Sequence, residues 1–150
     1  MRAVIQRVKH AEVRVAGKVV GAIDRGLLVL VAAATGDSEA DARALADKLT
    51  GLRVFVDDEG KMNRSVSEAG GSMLVVSQFT LYADLRRGRR PSFTSAAPPD
   101  VAEPLVEALI GRLGRSVPVA SGRFGAMMEV ELINDGPVTI VVDVVDGRVI

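Results

Sequence analysis

Residues 27–33 read LLVLVAA, seven side chains in a row with no polar break. A strand with one face in water alternates apolar and polar residues; a run this short and unbroken belongs to a strand covered on both faces. The fold must therefore supply apolar layers on either side of this segment.

The rest of the chain is patterned mostly for strands. Residues 3–15 alternate, with Ala3, Ile5 and Arg7 on one side and Val4, Gln6 and Val8 on the other. A turn at Ala16-Gly17-Lys18 leads into a hairpin partner over 19–23. Ser38 with Asp41 three residues on is a capping-box variant. Ala42, Leu45, Ala46 and Leu49 then give a helix one buried face, and Gly51 is a natural stop. A short strand is predicted over 53–56, turn chemistry over 57–60 and a stronger strand over 73–82. Residues 84–99 form an irregular stretch rich in Arg, Ser, Pro and Gly. A second helix is predicted from about residue 100 to 113, with Leu105, Leu109 and Leu113 at i+4 spacing; Pro104 fits it only in the first turn. Two final strands are predicted over 127–133 and 138–145. This order is not regular βαβ alternation. It predicts one α/β domain over residues 1–150, strand-rich, with mixed or antiparallel sheets and two main helices.

Composition removes several chemistries. The chain has 150 residues, 48% of them hydrophobic, enough to bury one substantial core. Lys+Arg and Asp+Glu are 19 each, so any nucleic-acid contact must come from local clustering. The absence of cysteine excludes disulfides, thiolate catalysis and Cys-based zinc sites. The single histidine, His10, lies in a strand-like run with no nucleophile signal beside it and reads as structural. No metal-ligand cluster is evident and no cofactor is expected. No apolar run approaches the ~20 residues of a membrane span. The N-terminal stretch carries Arg2, Arg7 and Lys9 and does not resemble a signal peptide. A cytoplasmic protein without membrane contact is expected.

Three places are candidates for chemistry. In SQFTL, Ser77, Gln78 and Thr80 break into an apolar strand; they either satisfy neighbouring backbone groups or line a pocket at the strand end. In LRRGRRPSF, Arg86, Arg87, Arg89 and Arg90 form either a solvated loop or a phosphate contact. In LINDGPVTIV, the Asp-Gly pair signals a hairpin, yet Pro137 follows Gly136 and cannot donate to a ladder. That pair either closes a hairpin or leaves backbone carbonyls open to close approach. Any hydrolase built from these parts must rest on backbone donors, hydroxyls or its own substrate.

Together these segments resemble the D-aminoacyl-tRNA deacylases. The resemblance is carried by SQFTL at 77–81 within GGSMLVVSQFTLYAD, RPSF at 90–93, GRFGAMMEVELINDGPVT at 122–139, IQRV at 5–8 and DEGKMN at 58–63, and it spans the chain. It implies a homodimer that hydrolyses the ester of D-amino acids attached to tRNA, and of glycine mischarged onto alanine tRNA. It implies that Gly136 and Pro137 form a cis pair reaching into the partner's site. There their carbonyls hold the substrate ammonium and an L side chain collides. It implies a site over Ser77, Gln78, Phe79 and Thr80, in which backbone N–H groups near Phe79 and Thr80 hold the oxyanion and the terminal 2′-hydroxyl of the tRNA assists. Arg7 would brace the Gly-Pro turn, Met128 line the pocket, and Arg86, Arg87, Arg89 and Arg90 contact the RNA. The alternatives are an esterase with Thr80 or Ser77 as nucleophile and a non-catalytic tRNA-binding module.

Overall fold

The computed structural model describes residues Met1–Ile150. Along the chain come β1 (Arg2–Val15), β2 (Lys18–Ile23), β3 (Gly26–Ala32), α1 (Glu39–Gly51), β4 (Phe55–Val56), β5 (Met62–Arg64) and β6 (Ser72–Ser77). A 3₁₀ turn (Phe79–Tyr82), α2 (Pro99–Leu113), β7 (Val119–Ser121), β8 (Glu129–Val145) and β9 (Arg148–Val149) follow.

One mixed sheet runs β7-β6-β3-β1-β8-β9, with β2 also paired to β1, and β4 and β5 form a separate small ladder. β1 is its hub. Its first half pairs antiparallel with β3, its second half with β2, and β8 runs antiparallel along its other edge. β3, β6 and β7 are mutually parallel. The sheet curls until β2 meets β7: a Cβ on Gly21 would lie 2.4 Å from the Ser121 carbonyl oxygen, so only glycine permits the approach.

This curl gives β3 the two covered faces its sequence demands. Leu27, Val29 and Val31 join a core with Leu45 and Leu49 of α1 and Leu109 and Leu113 of α2. Leu28 joins the opposite core, with Val8, Val13, Ile23, Leu74 and Val76. Each such side chain contributes about 1.5–3 kcal/mol on burial. The capping box at Ser38 and Asp41 is present. Asp41 accepts hydrogen bonds from the Ser38 and Gly147 N–H groups, each at 2.8 Å, and so ties α1 to the β8–β9 turn. Burial works to raise its carboxyl, but these hydrogen bonds outweigh it and hold the group below its usual range.

Three sequence expectations need correction. The strand predicted to run to residue 82 stops at Ser77; Gln78 N–H makes a last bond to Val31 O at 2.7 Å, and the chain then coils into the 3₁₀ turn. Pro104 lies in the second turn of α2, not the first, because Pro99 already opens the helix. The Asp100 carbonyl that Pro104 cannot serve belongs to an exposed residue, open to solvent. The two final strands are one: β8 continues through Gly136-Pro137 and pairs with β1 on both sides of it. No hairpin forms there, because the chain does not reverse.

Candidate active site

β3 and β6 end together, Val31 beside Ser77. The carboxyl ends of neighbouring parallel strands are where open α/β sheets bind ligands, and a cavity of about 580 Å³ opens there. Ser77, Gln78 and Phe79 form one wall, Phe93, Phe124 and Met128 others, and Ala97 and Val106 belong to the apolar lining. Phe79 and Phe93 meet edge to face, with ring centroids 5.0 Å apart. Thr80 is exposed beside the cavity rather than part of its lining, and its hydroxyl accepts a hydrogen bond from the Gln78 side-chain amide.

The 3₁₀ turn is held from behind. Arg2 grips Asp143 through two hydrogen bonds, of 2.7 and 3.1 Å, and donates to the Leu81 carbonyl at 3.2 Å. Its guanidinium also lies 5.2 Å from the Tyr82 ring centroid. Burial, assisted by Asp37, pushes the Tyr82 phenol up to about 12. The first N–H groups of such a turn have no partner within it; here they are those of Phe79 and Thr80. No imidazole is near: His10 sits on β1 with its Nε2 3.5 Å from Glu12 and is absent from the cavity lining. His10, Glu12 and Glu131 do lie close together, but Arg14 is paired with both carboxylates.

Gly136 and Pro137 are elsewhere. Neither lines the cavity, and both are exposed. Opposite the single residue Arg7 of β1, β8 places four, 135–138, which bulge out of the ladder between the Gln6–Thr139 and Val8–Asn134 pairs. The Gly136–Pro137 peptide is cis. Arg7 braces the bulge: its Nε donates to Asp135 O at 2.8 Å and its Nη1 to Val54 O. Gly136 has φ +153°, and a Cβ there would lie 2.6 Å from the Val138 nitrogen. No other residue fits this turn.

The arginine stretch is an ordered loop. Asp84 and Ser92 exchange two backbone hydrogen bonds, 2.7 and 3.0 Å, at its base. Arg86 is committed inside it, gripping Asp84, whose carboxyl it draws down to about 2. Arg87, Arg89 and Arg90 are exposed and unpaired. Sequence reasoning therefore overcounts the free charges by one; the i, i+2 Asp-Arg spacing was the available signal. It also missed Phe93 and Phe124 as pocket walls and Arg2 as the strut behind the turn.

A pocket at parallel strand ends, with no acid–base side-chain pair in its lining, marks a small α/β domain with a ligand-sized cavity. Residues 4–143 match the model of the family described as D-Tyr-tRNA(Tyr) deacylase. The chain is 62% identical over 144 residues to a D-aminoacyl-tRNA deacylase of Roseiflexus castenholzii, covering 95% of this chain and 92% of that one. It is 59% identical over 149 residues to the one from Chloroflexus aurantiacus, covering 99% and 93%. Among solved structures it resembles the c-Myc DNA Unwinding Element Binding Protein, with TM-score 0.91, 37% identity and coverage of 96% and 99%. It shares the fold of a probable eukaryotic D-amino acid tRNA deacylase, with TM-score 0.80, 19% identity and coverage of 93% and 97%. The chain belongs to the D-Tyr-tRNA(Tyr) deacylase family, and with it to the hydrolases that act on the ester bond of aminoacyl-tRNA.

Proposed function

We propose that this chain removes D-amino acids, and glycine mischarged onto alanine tRNA, from the 3′ acceptor end of tRNA in the cytoplasm. It does so as a homodimer in which each Gly136–Pro137 turn closes the partner's pocket. The observation that carries this reading is the separation of the two parts. Ser77, Gln78, Phe79 and Met128 share one cavity, while a rigid, braced turn projects from the same chain outside that cavity's lining. A turn so built has its use on a second copy.

In the partner's pocket, the turn's carbonyls accept hydrogen bonds from the substrate's α-ammonium group. With ammonium and ester both fixed, the side chain of an L-amino acid points into the turn and is excluded. A D side chain points away, and glycine has none. Rejection by collision needs a wall that does not yield, and a braced backbone yields less than a side chain.

Hydrolysis rests on the Phe79 and Thr80 N–H groups as oxyanion donors, and on the 2′-hydroxyl beside the ester, which activates water. One oxyanion donor is worth about 3–4 kcal/mol. Thr80 as a nucleophile is the weaker reading, because no base stands beside it. The free charges of Arg87, Arg89 and Arg90 suit tRNA phosphates. They fit equally a second reading, a non-catalytic nucleic-acid module, toward which the likeness to a DNA-element binding protein leans. Incubation with D- and L-tyrosyl-tRNA without added metal decides. Selective release of the D-amino acid supports the proposal; binding with no release leaves the module.

A further inference from the structure

We propose that Asn134 is a positioning residue for the Gly136–Pro137 turn, and so sets the selectivity of the site without touching substrate. The inference rests on the reading that this turn is the wall that rejects L-amino acids.

A four-residue excursion from a strand has two open sides. Arg7 closes the first from the neighbouring strand, through Asp135 O. The second side faces back along β8 itself, where Val138 re-enters the ladder. There Val138 is paired with no residue of β1, since the register resumes at Thr139. Its N–H and C=O both bond to one side chain. Asn134 Oδ1 accepts from Val138 N–H at 2.8 Å, and Asn134 Nδ2 donates to Val138 O at 3.1 Å. Nδ2 also donates to Thr139 Oγ1 at 3.1 Å. The amide's orientation is fixed by its partners, because an N–H can only donate and a carbonyl can only accept. Asn134 thus clamps both polar groups of Val138 and fixes the distance between the two feet of the bulge. Aspartate offers no donor to the carbonyl, serine cannot serve both groups at this span, and alanine serves neither.

The two braces act on opposite feet. Arg7 holds residue 135 and Asn134 holds residue 138, with Gly136 and Pro137 between them. With Asn134 removed, the Val138 end gains freedom, and the carbonyls that face the substrate lose their fixed spacing.

Asn134→Ala, and Asn134→Asp as the gentler change that keeps the Oδ1 acceptor, are compared with wild type. Three quantities are read: the D/L ratio of kcat/KM for tyrosine on one tRNA, kcat and KM separately, and hydrogen exchange of the Val138 amide. Loss of the clamp is expected to lower the D/L ratio about tenfold, the equivalent of one good hydrogen bond. KM for the D-substrate should rise while kcat changes little, and Val138 exchange should quicken. Thr139→Val, which removes only the third bond, should leave the ratio near wild type. Gly136→Ala is the control for the underlying reading. If it lowers the ratio while both folded Asn134 variants keep the wild-type value, the inference is wrong and the reading stands. If Gly136→Ala also keeps the wild-type ratio, the reading itself fails. Unchanged Val138 exchange in Asn134→Ala overturns the clamp in either case.

Discussion

The 3₁₀ turn at Phe79–Tyr82 and the bulge at Gly136–Pro137 are both short departures from strands, and the chain supports them in opposite ways. The first is backed by the body of the domain: Arg2, held by Asp143, grips it from behind, Tyr82 at its end is half-buried, and a cavity opens in front. The second touches the interior only at its Val138 foot, which packs against the main core. Its tip stands out of β8 where that strand pairs with β1 alone, exposed at Gly136 and Pro137 and braced by hydrogen bonds at its feet. The lesson is a division of labour. A group that must hold a developing charge is best placed in a walled, apolar pocket, where donors are worth most. A group that must say no to a shape needs stiffness and reach more than surroundings.

The largest effect that separates the two regions should come from the substrate. Replacing the terminal 2′-hydroxyl of D-tyrosyl-tRNA by hydrogen is expected to cost about a hundredfold or more in kcat, comparable with loss of an oxyanion donor. Thr80→Ala should stay within about threefold of wild type, since one exposed hydroxyl hydrogen bond is a small change. Single-turnover hydrolysis measures both. The reverse ranking would move the chemistry to the Thr80 side chain.

Next in size is the wall. In Gly136→Ala the new Cβ would sit 2.6 Å from the Val138 nitrogen, so the turn must open. A shift of about an ångström in a positioning group costs up to a hundredfold. The D/L ratio of kcat/KM should therefore drop about tenfold or more, largely through gained hydrolysis of the L-substrate. A selective variant with an intact fold would show that the turn is not the wall.

Smaller effects belong to the arginine loop. Arg87→Gln, Arg89→Gln and Arg90→Gln should each reduce the salt slope of tRNA binding by up to about 1, for D- and L-charged tRNA alike. Arg86→Gln should reduce it less, because Asp84 already holds that guanidinium. Equal slopes for all four would mean that the Asp84–Arg86 pair opens when RNA binds.

The smallest effect is a titration. Tyr82 is the only tyrosine, so tyrosinate absorbance reports this residue alone. Its phenol is raised, which means that its burial as the neutral form supports the fold fully below about pH 10, the ordinary tyrosine value. That support is lost as pH rises through about 12. A midpoint at the ordinary value would show that the end of the 3₁₀ turn at Tyr82 is open to water.

Much of this was legible in the sequence because the signals are local. The Ser38–Asp41 cap, the apolar face of α1 and the unbroken run in β3 each carry their whole message within one element. The apolar run ends at Val76, and Ser77 and Gln78 just beyond it line the cavity. What failed depended on partners distant in sequence. β7 and β9 are three and two residues long, and are strands only because β6 and β8 pair with them. Asp135-Gly136 carries a hairpin signal, and β1 overrides it by pairing with β8 on both sides of the bulge. Asn134 looks like one more turn residue until its amide is seen spanning to Val138.

The central claim is that the turn of one subunit guards the pocket of the other, and subunit mixing tests it most directly. Ser77→Phe fills the pocket but keeps a sound turn; Gly136→Ala keeps a sound pocket but spoils the turn. After equal amounts exchange subunits, about half of the intact pockets should sit in mixed dimers opposite a sound turn. Hydrolysis of L-tyrosyl-tRNA per intact pocket should then fall to about half that of the Gly136→Ala protein alone. If it does not change on mixing, each turn serves its own subunit or none, and the account is contradicted.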